Sequence, residues 1–126
     1  MRMRYSVGID LVDVEQVADA VACHGQRYLD RIYTPCELSE SRQQPERLAA
    51  RFAAKEAAMK ALRRGPDEQL PWREISVVHD DAGRPALQLT GAAARLATRT
   101  GVRDLDVSLT HESGRALAIV LAERAA

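Results

Sequence analysis

The sequence lacks an excess of charge of either sign: eighteen Lys and Arg meet eighteen Asp and Glu, for a formal net charge of zero over 126 residues. That balance argues against a general polyanion binder, so nucleic acid is not an expected partner and only a local basic cluster stays open. Long hydrophobic runs are missing too. The longest, Ala116 to Ala122, has seven residues, whereas a membrane-spanning helix needs about 20. Met1-Arg2-Met3-Arg4-Tyr5 leads into a short apolar stretch that Asp10 breaks, which is not the pattern of a secretion signal. Cysteine is confined to Cys23 and Cys36, 13 positions apart and without the paired spacing of a metal or redox motif. Two free thiols in a cytoplasmic protein is the expected state. There is no nucleotide-binding glycine signature and no P-loop, and Ser108 and Cys36 have no evident base partner, so a nucleophilic triad finds no support.

What is present fits one folded domain over residues 1–126. Apolar residues make up 46% and charged residues 29%, which excludes disorder, and a chain of this length buries a real core without staples. Of the eighteen basic residues only Lys55 and Lys60 are lysines. A lysine kept in so arginine-rich a chain points to a place where a compact ammonium is wanted.

Tyr5 to Leu11 reads as a strand, with Val7, Ile9 and Leu11 on one face and Gly8 and Asp10 on the other. Asp10 or Asp13 is placed to cap a helix carrying Val14, Val17, Ala18 and Val21, which Gly25 ends. Tyr28, Leu29 and Ile32 mark a second short helix. Thr34-Pro35-Cys36-Glu37 carries the start signal of a third, with Thr as N-cap, Pro first and Glu third. The strongest element is a long helix from Pro45 to Arg64, stopped by Gly65-Pro66. Its Ala50, Ala53, Ala54, Ala57 and Ala61 form a small-residue face suited to very close packing, while Phe52, Glu56, Met59, Lys60 and Arg63 share another arc. Ile75 to Val78 and Ala86 to Leu89 form a hairpin about Asp81-Ala82-Gly83. A helix from Thr90 or Gly91 to Thr100 follows. Strands at Leu105–Leu109 and Ala116–Val120 close the chain, joined by Glu112-Ser113-Gly114-Arg115. Hairpins without regular βαβ units give an α+β class, a long central helix on an antiparallel sheet.

Four places stand out chemically. Asp10 interrupts an apolar strand, either as a solvated strand end or cap or as a ligand of a hard cation. Glu56 lies one turn before Lys60, as half of a surface ion pair or as a second carboxylate converging on Asp10. Two such carboxylates repel unless a proton or cation sits between them, and Mg²⁺ resolves that while leaving positions for substrate phosphate. Arg51, Lys55 and Lys60 are either a solvated basic side or cations for phosphate oxygens that a metal does not reach. His111, at a strand end, is a turn residue, a phosphate contact or a group that moves a proton. His24 and His79 read as surface residues.

Taken together, Val7-Gly8-Ile9-Asp10-Leu11-Val12, Arg31-Ile32-Tyr33-Thr34-Pro35-Cys36-Glu37-Leu38, the block Arg51-Phe52-Ala53-Ala54-Lys55-Glu56-Ala57-Ala58-Met59-Lys60-Ala61-Leu62, Trp72-Arg73-Glu74-Ile75, Gly83-Arg84-Pro85 and Val107-Ser108-Leu109-Thr110-His111 resemble the holo-acyl-carrier-protein synthases, the short single-domain branch of the 4′-phosphopantetheinyl transferases. The resemblance implies transfer of the phosphopantetheine arm of coenzyme A to a serine of an apo acyl carrier protein, releasing adenosine 3′,5′-bisphosphate. It implies that Asp10 and Glu56 hold Mg²⁺ and that the serine proton goes to Glu56 either directly or through a metal-held water. Lys60 would stabilise phosphate charge, and Arg51 and His111 would lie against the coenzyme A phosphates. It also implies a cytoplasmic homotrimer with sites shared between subunits, binding neither membrane nor nucleic acid. One position departs from the pattern. An arginine usual six residues after the metal-binding aspartate, facing the carrier's acidic helix, is here Gln16, preceded by Glu15. Arg2, Arg4, Arg27 and Arg31 are available to compensate, and a polyketide or peptide-synthase carrier is an alternative partner. A non-catalytic coenzyme A or nucleotide-binding paralogue is the competing class.

Overall fold

A computed structural model describes residues 3–125. Strand β1 (Met3–Asp13) turns directly into helices α1 (Val14–His24), α2 (Gln26–Ile32) and α3 (Pro35–Ser41), followed by the long helix α4 (Pro45–Ala61). A 3₁₀ turn (Trp72–Glu74) leads into a hairpin of β2 (Ile75–His79) and β3 (Pro85–Leu89). Helix α5 (Gly91–Arg99) and strands β4 (Val102–Glu112) and β5 (Arg115–Ala125) complete the chain. The strands form an antiparallel three-stranded sheet of order β1-β5-β4 and a separate two-stranded β2-β3 sheet, the α+β arrangement that the pattern predicts. Among the described residues no helix is long and apolar enough to cross a membrane.

The core lies where α4 crosses the inner face of the large sheet. Ala50, Ala53, Ala54, Ala57 and Ala61 are all buried, and they meet Ala116, Ala118, Val120 and Ala122 from β5. Small residues on both sides let backbone approach backbone. The closest approach is at Gly8, where a Cβ would stand 1.8 Å from the Ala57 carbonyl oxygen and 2.9 Å from the Ala61 nitrogen. Only glycine fits there. That contact draws β1 onto α4 and so decides which α4 side chains Asp10 can meet.

The opposite face of the sheet is apolar and open. Tyr5, Val7, Ile9 and Leu11 are each more than half exposed, flanked by Ile119 and Leu121. The β1–β5 register opposes Val7 to Leu121, Ile9 to Ile119 and Asp10 to Ala118, so the strand alternation read from sequence holds with Asp10 on the α4 side.

Several boundaries differ from the sequence reading. Helix α4 ends at Ala61, before the Gly65-Pro66 stop. Arg63 takes a left-handed conformation (φ 58), with its N–H donating to Lys60 O and that of Arg64 donating to Met59 O, a Schellman closure made without glycine. Arg124 replaces the missing helical partner of the last turn: its Nη2 donates to Ala61 O at 2.7 Å, as does Ser6 Oγ at 2.6 Å. Strands β4 and β5 run to eleven residues each, because Ser113 and Gly114, both at positive φ, close a tight two-residue turn and the ladder continues through buried Arg124. Asp13 sits at the N-cap of α1 but its side chain caps nothing; it faces Arg115 at 3.7 Å. The Thr34–Glu37 capping box forms as expected.

Candidate active site

Asp10, Glu56 and Lys60 come together on one flank of α4. Lys60 Nζ donates to Ile9 O at 2.8 Å and to Asp10 Oδ1 at 3.3 Å. The Glu56–Lys60 surface pair considered from spacing is thus replaced by a bridge from helix to strand. Asp10 is the less exposed partner and Lys60 remains half open to solvent. Glu56 is half-buried, and its carboxyl is pushed above the ordinary carboxylate value, first by burial and then by the charge of Asp10; Arg64 and Lys60 pull the other way. A half-buried carboxyl whose ionisation is opposed by the charge of a second carboxylate beside it is a place suited to a cation. Both donors are hard oxygens, and among the described residues no third His, Cys, Asp or Glu joins them. This is the sparse set that Mg²⁺ takes when phosphate oxygens supply the rest.

Arg51 and His111 come together elsewhere. They line a cavity of about 560 Å³ with Glu40, Arg42, Arg47 and His79. Arg51 is 95% buried by its 5% exposure. Its Nη1 donates to Arg47 O at 3.2 Å and its Nη2 reaches Glu40 only at 3.9 Å. Its Nε finds no hydrogen-bond partner among the described residues. Burial lowers the pKa of this guanidinium, with Glu37 and Glu40 countering. A buried, under-partnered cation facing a cavity edged by two further arginines and two histidines has the charge and open donors to take an anion.

The two groups are separated by the helix itself. At about 100° per residue, Arg51 lies roughly 140–180° around α4 from Glu56 and Lys60. Asp10 and His111 occupy opposite edge strands of the β1-β5-β4 sheet, offset by two positions along β5 (opposite Ala118 and Ala116) and by two strand spacings of about 4.8 Å each across it. The chain therefore carries two half-sites, one on each flank.

Lys55 belongs to neither, which corrects the grouping of Lys55 with the phosphate-facing cations. It is fully buried, and its ammonium donates to Glu37 Oε1 at 2.6 Å, to Trp72 O at 3.2 Å and to Ile75 O. Three acceptors around one nitrogen suit an ammonium and not a planar guanidinium, so the scarcity of lysine was informative here for a structural reason. Glu37 also accepts from Val77 N at 2.9 Å, tying α3, α4 and β2 together.

His79, read as a surface residue, is partnered: its Nδ1 lies 2.6 Å from Glu40 Oε2. Glu40, Arg42 and Arg47 also escaped the sequence reading. Arg47 lies one helical turn before Arg51, a spacing that could have signalled it; Arg42 and Glu40 carry no such signal. Gln16 is exposed on α1. Arg27 and Arg31 line a cavity of about 390 Å³ with His24, Tyr28, Ile32 and Trp72. Arg4 is exposed on β1, and Arg2 lies outside the described residues. Cys23 and Cys36 are free and exposed.

Comparison with known proteins gives the class to which this fold belongs. The chain belongs to the 4′-phosphopantetheinyl transferase superfamily, whose sequence profile matches residues 6–120. Within it, the chain is similar to the holo-acyl-carrier-protein synthase of Herpetosiphon aurantiacus, 42% identical over 120 residues that cover 90% of this chain and 94% of that one. The synthase of Frankia alni is 44% identical over 117 residues, covering 93% and 95%. Among solved structures, the Chronobacterium ammoniagenes ACPS–CoA complex superposes with a TM-score of 0.85 at 31% identity, covering 98% of this chain and 99% of that one.

Proposed function

We infer that this chain transfers the 4′-phosphopantetheine group of coenzyme A to a serine hydroxyl of an apo acyl carrier protein, releasing adenosine 3′,5′-bisphosphate. The observation that carries the reading is the convergence of Asp10, Glu56 and Lys60 where Gly8 lets β1 touch α4. The serine Oγ forms a bond to the β-phosphorus of the pyrophosphate. The bond from that phosphorus to the bridging oxygen breaks, and the electron pair leaves with the adenosine bisphosphate. Glu56, directly or through a water held beside it, takes the serine proton. Lys60 neutralises charge growing on the phosphate oxygens. Asp10 and Glu56 would hold Mg²⁺; when bound, the ion supplies further charge neutralisation at the pyrophosphate. Arg51 and His111 would hold the phosphates at the adenosine end.

The working unit is a cytoplasmic homotrimer of single-domain subunits. Support comes from the open apolar face of Tyr5, Val7, Ile9, Leu11, Ile119 and Leu121, which suits a second copy, and from the separation of the two half-sites by α4. A ligand meeting both is most simply served by one flank of each of two neighbouring copies. The carrier docks beside α1 and α2. There Glu15, Gln16 and Asp19 offer no cation, while Arg27 and Arg31 present positive charge at the His24–Trp72 cavity. Complementation tests both parts of the reading. Asp10→Ala and Arg51→Ala, each impaired alone at low coenzyme A, should recover roughly a quarter of wild-type transfer when refolded together as mixed trimers, because one interface in four then pairs two intact half-sites. No recovery would mean that each subunit works alone.

A further inference from the structure

Inside the cationic cavity stands one carboxylate, and its surroundings are unusual for an anion site. Glu40, on α3, is held from three elements. Its Oε2 lies 2.6 Å from His79 Nδ1 on β2 and 3.9 Å from Arg51 Nη2 on α4, and its Oε1 accepts from Cys36 Sγ on its own helix at 3.3 Å. The bond to His79, ahead of the other contacts, holds this carboxyl below its ordinary value, so it is a fixed negative charge at neutral pH. Arg51 is left with a guanidinium that is buried, lacks a close carboxylate and has an unpartnered Nε. His79 draws Glu40 towards itself and away from a tight pair with Arg51. The cavity is therefore held half-neutralised: enough counter-charge to keep a buried arginine ionised, not enough to occupy it.

We propose that Glu40 is a specificity-determining residue of the coenzyme A site, an internal counter-anion that an incoming phosphate must displace from Arg51 or endure as a like charge, and that His79 sets how strongly it competes. This rests on the reading of the Arg51–His111 cavity as the place of the coenzyme A phosphates. Like charges in a shared cavity raise the cost of binding, and removing one lowers it. The effect belongs to binding and not to turnover, because Glu40 lines the cavity read as holding the phosphates at the adenosine end and not the place of the reacting β-phosphorus.

The test compares KM for coenzyme A and for dephospho-coenzyme A, which lacks the 3′-phosphate, across three variants. Glu40→Gln keeps the shape and a hydrogen bond to His79. It should lower KM for coenzyme A three- to tenfold with kcat unchanged, and leave dephospho-coenzyme A within twofold. His79→Gln, which releases Glu40 towards Arg51, should raise KM for coenzyme A, and the rise should vanish in the Glu40→Gln background. Arg51→Ala reports on the underlying reading: it should raise KM for coenzyme A at least tenfold. If Arg51→Ala leaves KM unchanged, the cavity is not the phosphate site and both readings fall. If Arg51→Ala raises KM while Glu40→Gln leaves it unchanged or raises it, the site stands and the role of Glu40 is refuted.

Discussion

Replacing Gly8 by alanine perturbs the active site at its mechanical origin. The added Cβ would stand 1.8 Å from Ala57 O, and real Cβ contacts essentially never fall below 3.0 Å, so β1 and α4 must part by about 1.2 Å. The obstacle is helix backbone, so no side chain can swing aside. Forcing an extra methyl into a closed contact costs about 1–3 kcal/mol or more. For a domain of this length that corresponds to a fall in Tm of roughly 5–15 °C. The larger effect should be on turnover. Asp10 lies two residues from Gly8, and Lys60 bridges to Ile9 O at 2.8 Å and to Asp10 at 3.3 Å. A displacement of that size breaks both contacts, and misplacement by about 1 Å can cost on the order of 10²-fold in rate. Thermal unfolding followed by circular dichroism, with transfer rates measured well below the midpoint, separates the two effects. Gly114→Ala is the control. Unlike Gly8 it sits at positive φ (79), where alanine is strained, but a Cβ there meets nothing within 4 Å, so it should lose about 1 kcal/mol and keep its rate. Wild-type Tm and turnover in Gly8→Ala would refute the claim that this contact sets the site.

Other expectations follow from the same geometry. Glu56→Gln should abolish transfer, yet stabilise the metal-free protein at pH 7. The raised carboxyl favours the protonated fold, so its stability contribution is complete below about pH 4.5 and lost as pH rises through the higher folded value; unfolding at pH 7 and at a pH below 4 should show a gain only at the former. Lys60→Arg should lower kcat by about 10²-fold, since a planar fork cannot occupy the notch between Ile9 O and Asp10; steady-state kinetics with an apo carrier checks this. Lys55→Met should cost about 3–5 kcal/mol by leaving Glu37 buried and unpaired, whereas Lys55→Met with Glu37→Leu should recover much of it in denaturant titrations. Gln16→Arg should lower KM for an acidic fatty-acid carrier roughly two- to fivefold, with steeper salt dependence and unchanged coenzyme A affinity.

The fold was legible where periodicity and punctuation agree. The small-residue face of Ala50 to Ala61, the Thr34–Glu37 cap and the hairpin around Gly83 all act in the structure as they read in the chain. The end of α4 was not legible, because it is decided by Arg124 and Ser6, residues 63 and 55 positions from Ala61. Within the site, Asp10 and Glu56 could be paired by charge logic and Lys60 by its block. The partnership of Lys60 with Asp10 needed Gly8 to close the gap, and helical spacing alone pointed to Glu56. Lys55 shows the limit of residue type as a guide. Its buried position depends on Glu37, Trp72 and Ile75 converging from three elements, which no local pattern encodes. The cavity around Arg51 gathers α3, α4, β2 and β4, and so Glu40 and His79 carried no signal in one dimension.

The most direct measurement is the intact mass of an apo acyl carrier protein incubated with this chain, coenzyme A and Mg²⁺. The account requires the carrier to gain one phosphopantetheine group on a serine, with one adenosine 3′,5′-bisphosphate released per carrier, and requires both to vanish with Glu56→Gln. Coenzyme A bound by the folded protein while carriers of the fatty-acid, polyketide and peptide-synthase kinds all keep their apo mass would contradict it and leave a binding protein in place of a transferase.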